Sequence, residues 1–136
     1  MATPRPTDRA LLLGGLVVAS VATAGSLWFS LGLGLVPCEL CWYQRILMYP
    51  LVVVLGVAAF EDRAGAWLTA LPLSVGGLAV ATYHSYLQAT STACGFGAGG
   101  CAVVQWRAPL VGLSIPNLSL VAFLLLTAVG VVLARR

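Results

Sequence analysis

The chain contains no lysine, a single histidine and four acidic residues, and charged residues of every kind make up only 8% of its 136 positions. A soluble domain of this length needs a polar coat, and these residues cannot supply one. Intrinsic disorder is excluded as well, because 60% of the residues are hydrophobic and the mean hydropathy is +1.00. The net charge of +3 comes from seven arginines scattered along the chain. Nucleic-acid binding needs basic residues gathered on one face, so that class is excluded too. What remains is an integral membrane protein short enough to form one domain over 1–136.

Crossing the hydrocarbon core takes about 20 predominantly apolar residues. The sequence predicts an all-α membrane protein, a four-transmembrane-helix bundle with spans at about 10–35, 42–60, 64–87 and 115–133. Thr7 or Asp8 is available to cap the first span. Ser114 before Ile115 and Pro116 is a start signal for the last, since proline is tolerated in a first helical turn. The first apolar run is too long for the core of a secretory signal and lacks a convincing cleavage site, so it is read as a span. Pro50 and Pro72 fall inside the second and third spans, where membrane helices accept proline and kinks are expected. Trp28, Trp42, Trp67 and Trp106 all sit near predicted span ends, as an interfacial belt places them.

Arginine placement orients the bundle. With four spans, Arg5, Arg9, Arg63, Arg135 and Arg136 share one side, and only Arg45 and Arg107 share the other. Both termini are therefore expected in the cytoplasm of a multi-pass plasma-membrane protein. The outer segments are then 36–41 and 88–113. The second of these, between helices 3 and 4, is glycine-rich and expected to be flexible.

On the expected topology the chain's four cysteines lie on that outer side as two pairs: Cys38 and Cys41 as a C-x-x-C, and Cys94 and Cys101 with six residues between them. Cys38 and Cys41 open the second span, where unpaired N–H groups and the helix dipole favour thiolate, the form that attacks a disulfide. Arg45 lies one turn beyond Cys41 on the same face. A guanidinium at that depth needs a partner; it can stabilise a thiolate or hydrogen-bond the carbonyl of a bound quinone. A dithiol at a membrane surface can pass electrons from a soluble protein to a lipid-soluble acceptor. The competing readings are a scaffold stapled by two disulfides, a zinc site built from all four sulfurs, and an Arg45 that merely snorkels. His84, near the outer end of the third span, is by itself more typical of a packed, hydrogen-bonded residue. Gln44, Tyr43, Tyr49 and Tyr86 read as interfacial or core residues.

The run Pro37-Cys38-Glu39-Leu40-Cys41-Trp42-Tyr43-Gln44-Arg45, followed by Met48-Tyr49-Pro50, resembles the P-C-x-L-C-x-Y-x-R signature of the DsbB/BdbC disulfide bond formation proteins. Thr82-Tyr83-His84 with Leu87-Gln88, and Ile115-Pro116, match in the same order over most of the chain. The resemblance implies a quinone-dependent thiol oxidase that uses ubiquinone or menaquinone. Its partner would be a secreted or membrane-anchored thioredoxin-like (DsbA-like) protein. Carried over by position, Cys94 meets the partner in a mixed disulfide and Cys101 exchanges with Cys38. Cys41 faces the quinone, with Arg45 and His84 beside it, and no metal is implied. The short spacer between Cys94 and Cys101 is closer to the compact BdbC-like type and removes room for an extra loop helix. Placing the C-x-x-C first argues against the related vitamin K epoxide reductases.

Overall fold

A computed structural model describes residues 6–35, 39–90 and 107–135 of the chain. Cys38, Cys94, Cys101, Pro37, Trp106, Arg5, Arg136 and the glycine-rich segment between the second cysteine pair lie outside the described residues.

The first helix already includes Pro6, earlier than expected, and proline, with its φ preset for a helix and no N–H to leave unpaired, is tolerated near a helix start. Thr7 and Asp8 consequently lie inside the first turn of α1 (Pro6–Leu27) instead of capping it. A wider π-helical turn, Trp28–Gly32, continues the same helix. Helix α2 (Glu39–Glu61) and helix α3 (Trp67–Thr90) run through Pro50 and Pro72 without a break. Helix α4 (Ile115–Arg135) starts where the Ser-Ile-Pro signal predicts, with the Ser114 carbonyl accepting from the Leu118 N–H at 3.1 Å. Just before it, Arg107 bridges to Ser114 around a tight turn in which Gly112 adopts φ 68°. The segments α1 with its π turn, α2 from Leu40, and α4 are each long and apolar enough to cross a membrane. Helix α3 has the length, at 24 residues, but its Thr, Ser, Tyr, His and Gln residues leave it less apolar.

The connection from α2 to α3 is short because α2 stops abruptly. Asp62 takes the left-handed conformation at φ 54°, and the Arg63 N–H reaches back to the Ala58 carbonyl at 2.8 Å. That six-to-one bond satisfies a carbonyl the helix end would otherwise strand. A 3-10 turn over Ala64–Ala66 then leads into α3. Asp62 also pairs with Arg9 at 3.6 Å, which brings the start of α1 beside this turn.

The four helices pack in a ring, each against its chain neighbours, with α1 closing on α4. The α3–α4 contact is the tightest, and small residues explain it. A Cβ on Gly77 would overlap the ring of fully buried Phe123, and one on Gly130 would lie 2.9 Å from Leu71 Cδ1. These contacts also fix the pair as antiparallel, since Gly77 follows Leu71 whereas Phe123 precedes Gly130. Leu12, Leu51, Leu55 and Leu126 fill the middle of the ring around Phe123. A separate cluster of Leu40 and Leu87, with Val80 and Tyr83 against it, ties the first turn of α2 to the last turns of α3. It is this second cluster that positions the site.

Candidate active site

Residues three and four apart share a helix face, and Cys41, Gln44, Arg45 and Met48 present that face of α2 to a cavity of about 480 Å³. His84 and Gln88, one turn apart on α3, line the same space. Helix α1 contributes Val18, Ala22, Ser26 and Ser30, and α4 contributes Pro116, Ser119 and Ala122. Besides these polar side chains and the serines of α1 and α4, aliphatic and aromatic residues line the cavity. The volume and this mixture match a site for a small, largely apolar ligand with one oriented polar end. Val17 and Val21 of α1 and Val121 and Leu125 of α4 both line the cavity and are exposed on the outer surface, at 60%, 67%, 46% and 49%. The cavity therefore opens sideways, between α1 and α4.

Arg45 is held across the helix pair and does not snorkel away. Its Nη2 donates to the Ser26 carbonyl at 3.0 Å and to the Ser30 hydroxyl, and its guanidinium lies 5.1 Å from the centre of the Trp42 ring. Ser30 belongs to the π turn, a departure from α geometry that recurs at functional sites. The Ser26 hydroxyl in turn meets the Tyr49 hydroxyl at 3.2 Å. Fixed in this way, the charge stays on the wall of the cavity that Cys41 also lines. From the same face of α2, Gln44 Nε2 lies 2.9 Å from His84 Nδ1 on α3, and both residues are buried, at 6% and 2% exposure.

Of the six residues the sequence nominates, the structure brings Cys41, Arg45 and His84 onto one cavity. The other three, Cys38, Cys94 and Cys101, lie outside the described residues. Among the described residues no group of His, Cys, Asp and Glu side chains is placed to hold a metal. Sequence reasoning passed over Gln44 and Tyr49 as packing residues and did not single out Ser26 or Ser30. A signal was there: Ser26 and Ser30, four apart and so on one helix face, and an amide three residues after Cys41 on the same face.

The polar end fits a quinone. Guanidinium and imidazole N–H groups suit carbonyl oxygens, Cys41 lines the same cavity, and its largely apolar lining with a lateral opening suits a hydrocarbon tail.

The family model described as disulfide bond formation protein DsbB matches residues 8–133. A "probable disulfide formation protein" of Oceanobacillus iheyensis is 42% identical over 129 residues, covering 92% of this chain and 89% of its own. Disulfide bond formation protein C of Bacillus subtilis is 49% identical over 72 residues, or 53% of this chain and 51% of its own. A "probable disulfide formation protein" of Metapseudomonas resinovorans is 32% identical over 143 residues, covering 98% and 96%. No solved structure matches the chain.

Proposed function

The chain belongs to the DsbB family of disulfide bond formation proteins, and on that premise we propose that it is a membrane thiol:quinone oxidoreductase. It reoxidises an extracytoplasmic thioredoxin-like protein and so supports disulfide formation in secreted proteins. The observation that carries this reading is the meeting of Cys41, Arg45 and His84 on one cavity whose apolar length opens sideways between helices. A loop-stapling scaffold has no use for a guanidinium tethered beside a cysteine.

In this reading four helices cross the membrane, α3 included, with both termini in the cytoplasm. Cys94 and Cys101 take two electrons and two protons from the partner dithiol by thiol–disulfide exchange. Cys38 and Cys41 then reoxidise that pair by the same exchange, becoming a dithiol. A quinone, when bound, supplies the two-electron, two-proton acceptor that returns Cys38 and Cys41 to the disulfide. Arg45 keeps positive charge at the Cys41 sulfur while it is thiolate, and the apolar walls exclude water from the exchange. Drawing electrons from a partner as oxidising as roughly −120 mV needs a still better acceptor, since about 30 mV corresponds to 1.4 kcal/mol for two electrons. A respiratory quinone pool provides that drive.

The test is quinone reduction by the purified protein, with a reduced thioredoxin-like dithiol protein as donor and ubiquinone and menaquinone analogues in parallel. Turnover with at least one quinone is expected. Folded protein that turns over with none would favour the stapled scaffold.

A further inference from the structure

His84 is the chain's single histidine, and its ring is 2% exposed. A neutral imidazole has one N–H and one lone pair, so whichever nitrogen accepts a hydrogen bond leaves the proton on the other. Gln44 places its amide nitrogen, which can only donate, 2.9 Å from Nδ1. We infer that Gln44 is a positioning residue that holds His84 in the tautomer with its proton on Nε2.

The backbone supports this contact without help from flexible loops. Gln44 sits between Cys41 and Arg45 on the cavity face of α2, and the Leu40–Leu87 cluster fixes α2 against α3 a single turn away. Gln44 is itself 6% exposed, so little room remains for its amide to wander. Glutamine suits the task because its nitrogen donates whatever the pH. A carboxylate at the same place accepts only, and draws the ring proton to Nδ1.

The consequence for the cavity rests on the quinone reading. With its lone pair engaged by Gln44, His84 enters the cavity's chemistry as a donor and not as a base. Arg45 is also a donor only. Two donors from two different helices select a ligand carbonyl and disfavour a ligand that must itself donate. Gln44 thereby tunes the site toward the oxidised form of its ligand without touching the reacting sulfur.

One histidine makes the test clean. Protein labelled with ¹⁵N only in the histidine ring gives a single imidazole by NMR, whose two nitrogen resonances report the tautomer directly. The wild-type ring is expected wholly in the Nε2–H form. Gln44→Met should distribute it between both forms, and Gln44→Glu should move the proton to Nδ1. Rescue by Gln44→Asn is not expected, because the shorter side chain falls short of the ring. Circular dichroism establishes that each variant is folded; if Gln44→Glu is not, the wild type and Gln44→Met decide. A wild-type ring carrying its proton on Nδ1, or a ring unchanged by the folded variants, overturns the inference. Short-tailed quinones are then added to the same samples. A shifted Nε2 resonance in the wild type, with at least about tenfold weaker binding in Gln44→Glu, is expected if the buried hydrogen-bond change costs the usual amount. An Nε2–H ring that no quinone perturbs leaves the role of Gln44 standing and overturns the quinone reading instead.

Discussion

Arg45 on α2 donates to the backbone carbonyl of Ser26 on α1 at 3.0 Å, so a charged side chain and a main-chain dipole clasp two helices at the cavity that Cys41 lines. A carbonyl cannot be mutated away, which makes the arginine the part of the clasp open to experiment. Hydrogen bonds to charged groups contribute about 1.5–3 kcal/mol. Arg45→Ala is therefore expected to weaken quinone use by about 10- to 100-fold while sparing thiol exchange with the partner. Arg45→Lys keeps the charge but loses the fork, and should fall between. Stopped-flow measurement of each half-reaction separates the two steps. Equal loss of both, with loss of helicity, would point to a collapsed α2.

Cys41→Ser removes the sulfur at the cavity and leaves the other three cysteines in place. Quinone reduction should vanish. A mixed disulfide between Cys94 and the partner should still form and persist, visible as a shifted band on a non-reducing gel. Residual turnover above background would remove Cys41 from the proposed relay.

Gly77 lies against the ring of Phe123, and a larger side chain there must push α3 and α4 apart. Gly77→Val should cost about 1–3 kcal/mol, the usual penalty of overpacking, and lower the thermal midpoint in detergent. Gly14 has open space where a Cβ would go. Gly14→Ala should accordingly leave the midpoint unchanged or raise it slightly. Similar losses at both glycines would mean that the two sites differ less in packing than their surroundings indicate.

The proposed topology puts the α2–α3 turn and the 107–114 turn on opposite membrane faces. In a background with all four cysteines replaced by serine, Leu110→Cys should react with an impermeant maleimide on intact spheroplasts. Gly65→Cys should react only after permeabilisation. If both label from outside, α3 does not cross.

Much of the fold is legible in the sequence because helix ends carry local signals. Ser114-Ile115-Pro116 marks the start of α4 correctly, since capping and a preset proline φ act within a few residues. In α1 the capping signal at Thr7 and Asp8 misleads, because Pro6 is already helical and both residues lie within the helix. Asp62 in a left-handed cap gives no such warning, because glycine or asparagine is the usual residue there. In the site, Cys41 and Arg45 are legible from their spacing on one helix. The hydrogen bond between Gln44 and His84 spans 40 positions and two helices. It depends on how each helix is rotated in the ring, which no local pattern encodes. Ser30 acts from a π turn, and Ser26 from the end of α1 just before it, a departure from α geometry that no local pattern announces.

The sideways opening between α1 and α4 changes how concentration must be reckoned. A ligand that enters through Val17, Val21, Val121 and Leu125 is supplied from among the acyl chains, so its occupancy follows molecules per lipid and not molecules per litre. Adding detergent at constant total ligand then dilutes the supply as surely as adding buffer dilutes a soluble substrate. Saturation curves should superimpose when plotted against mole fraction in the micelle or bilayer, and spread apart when plotted against bulk concentration.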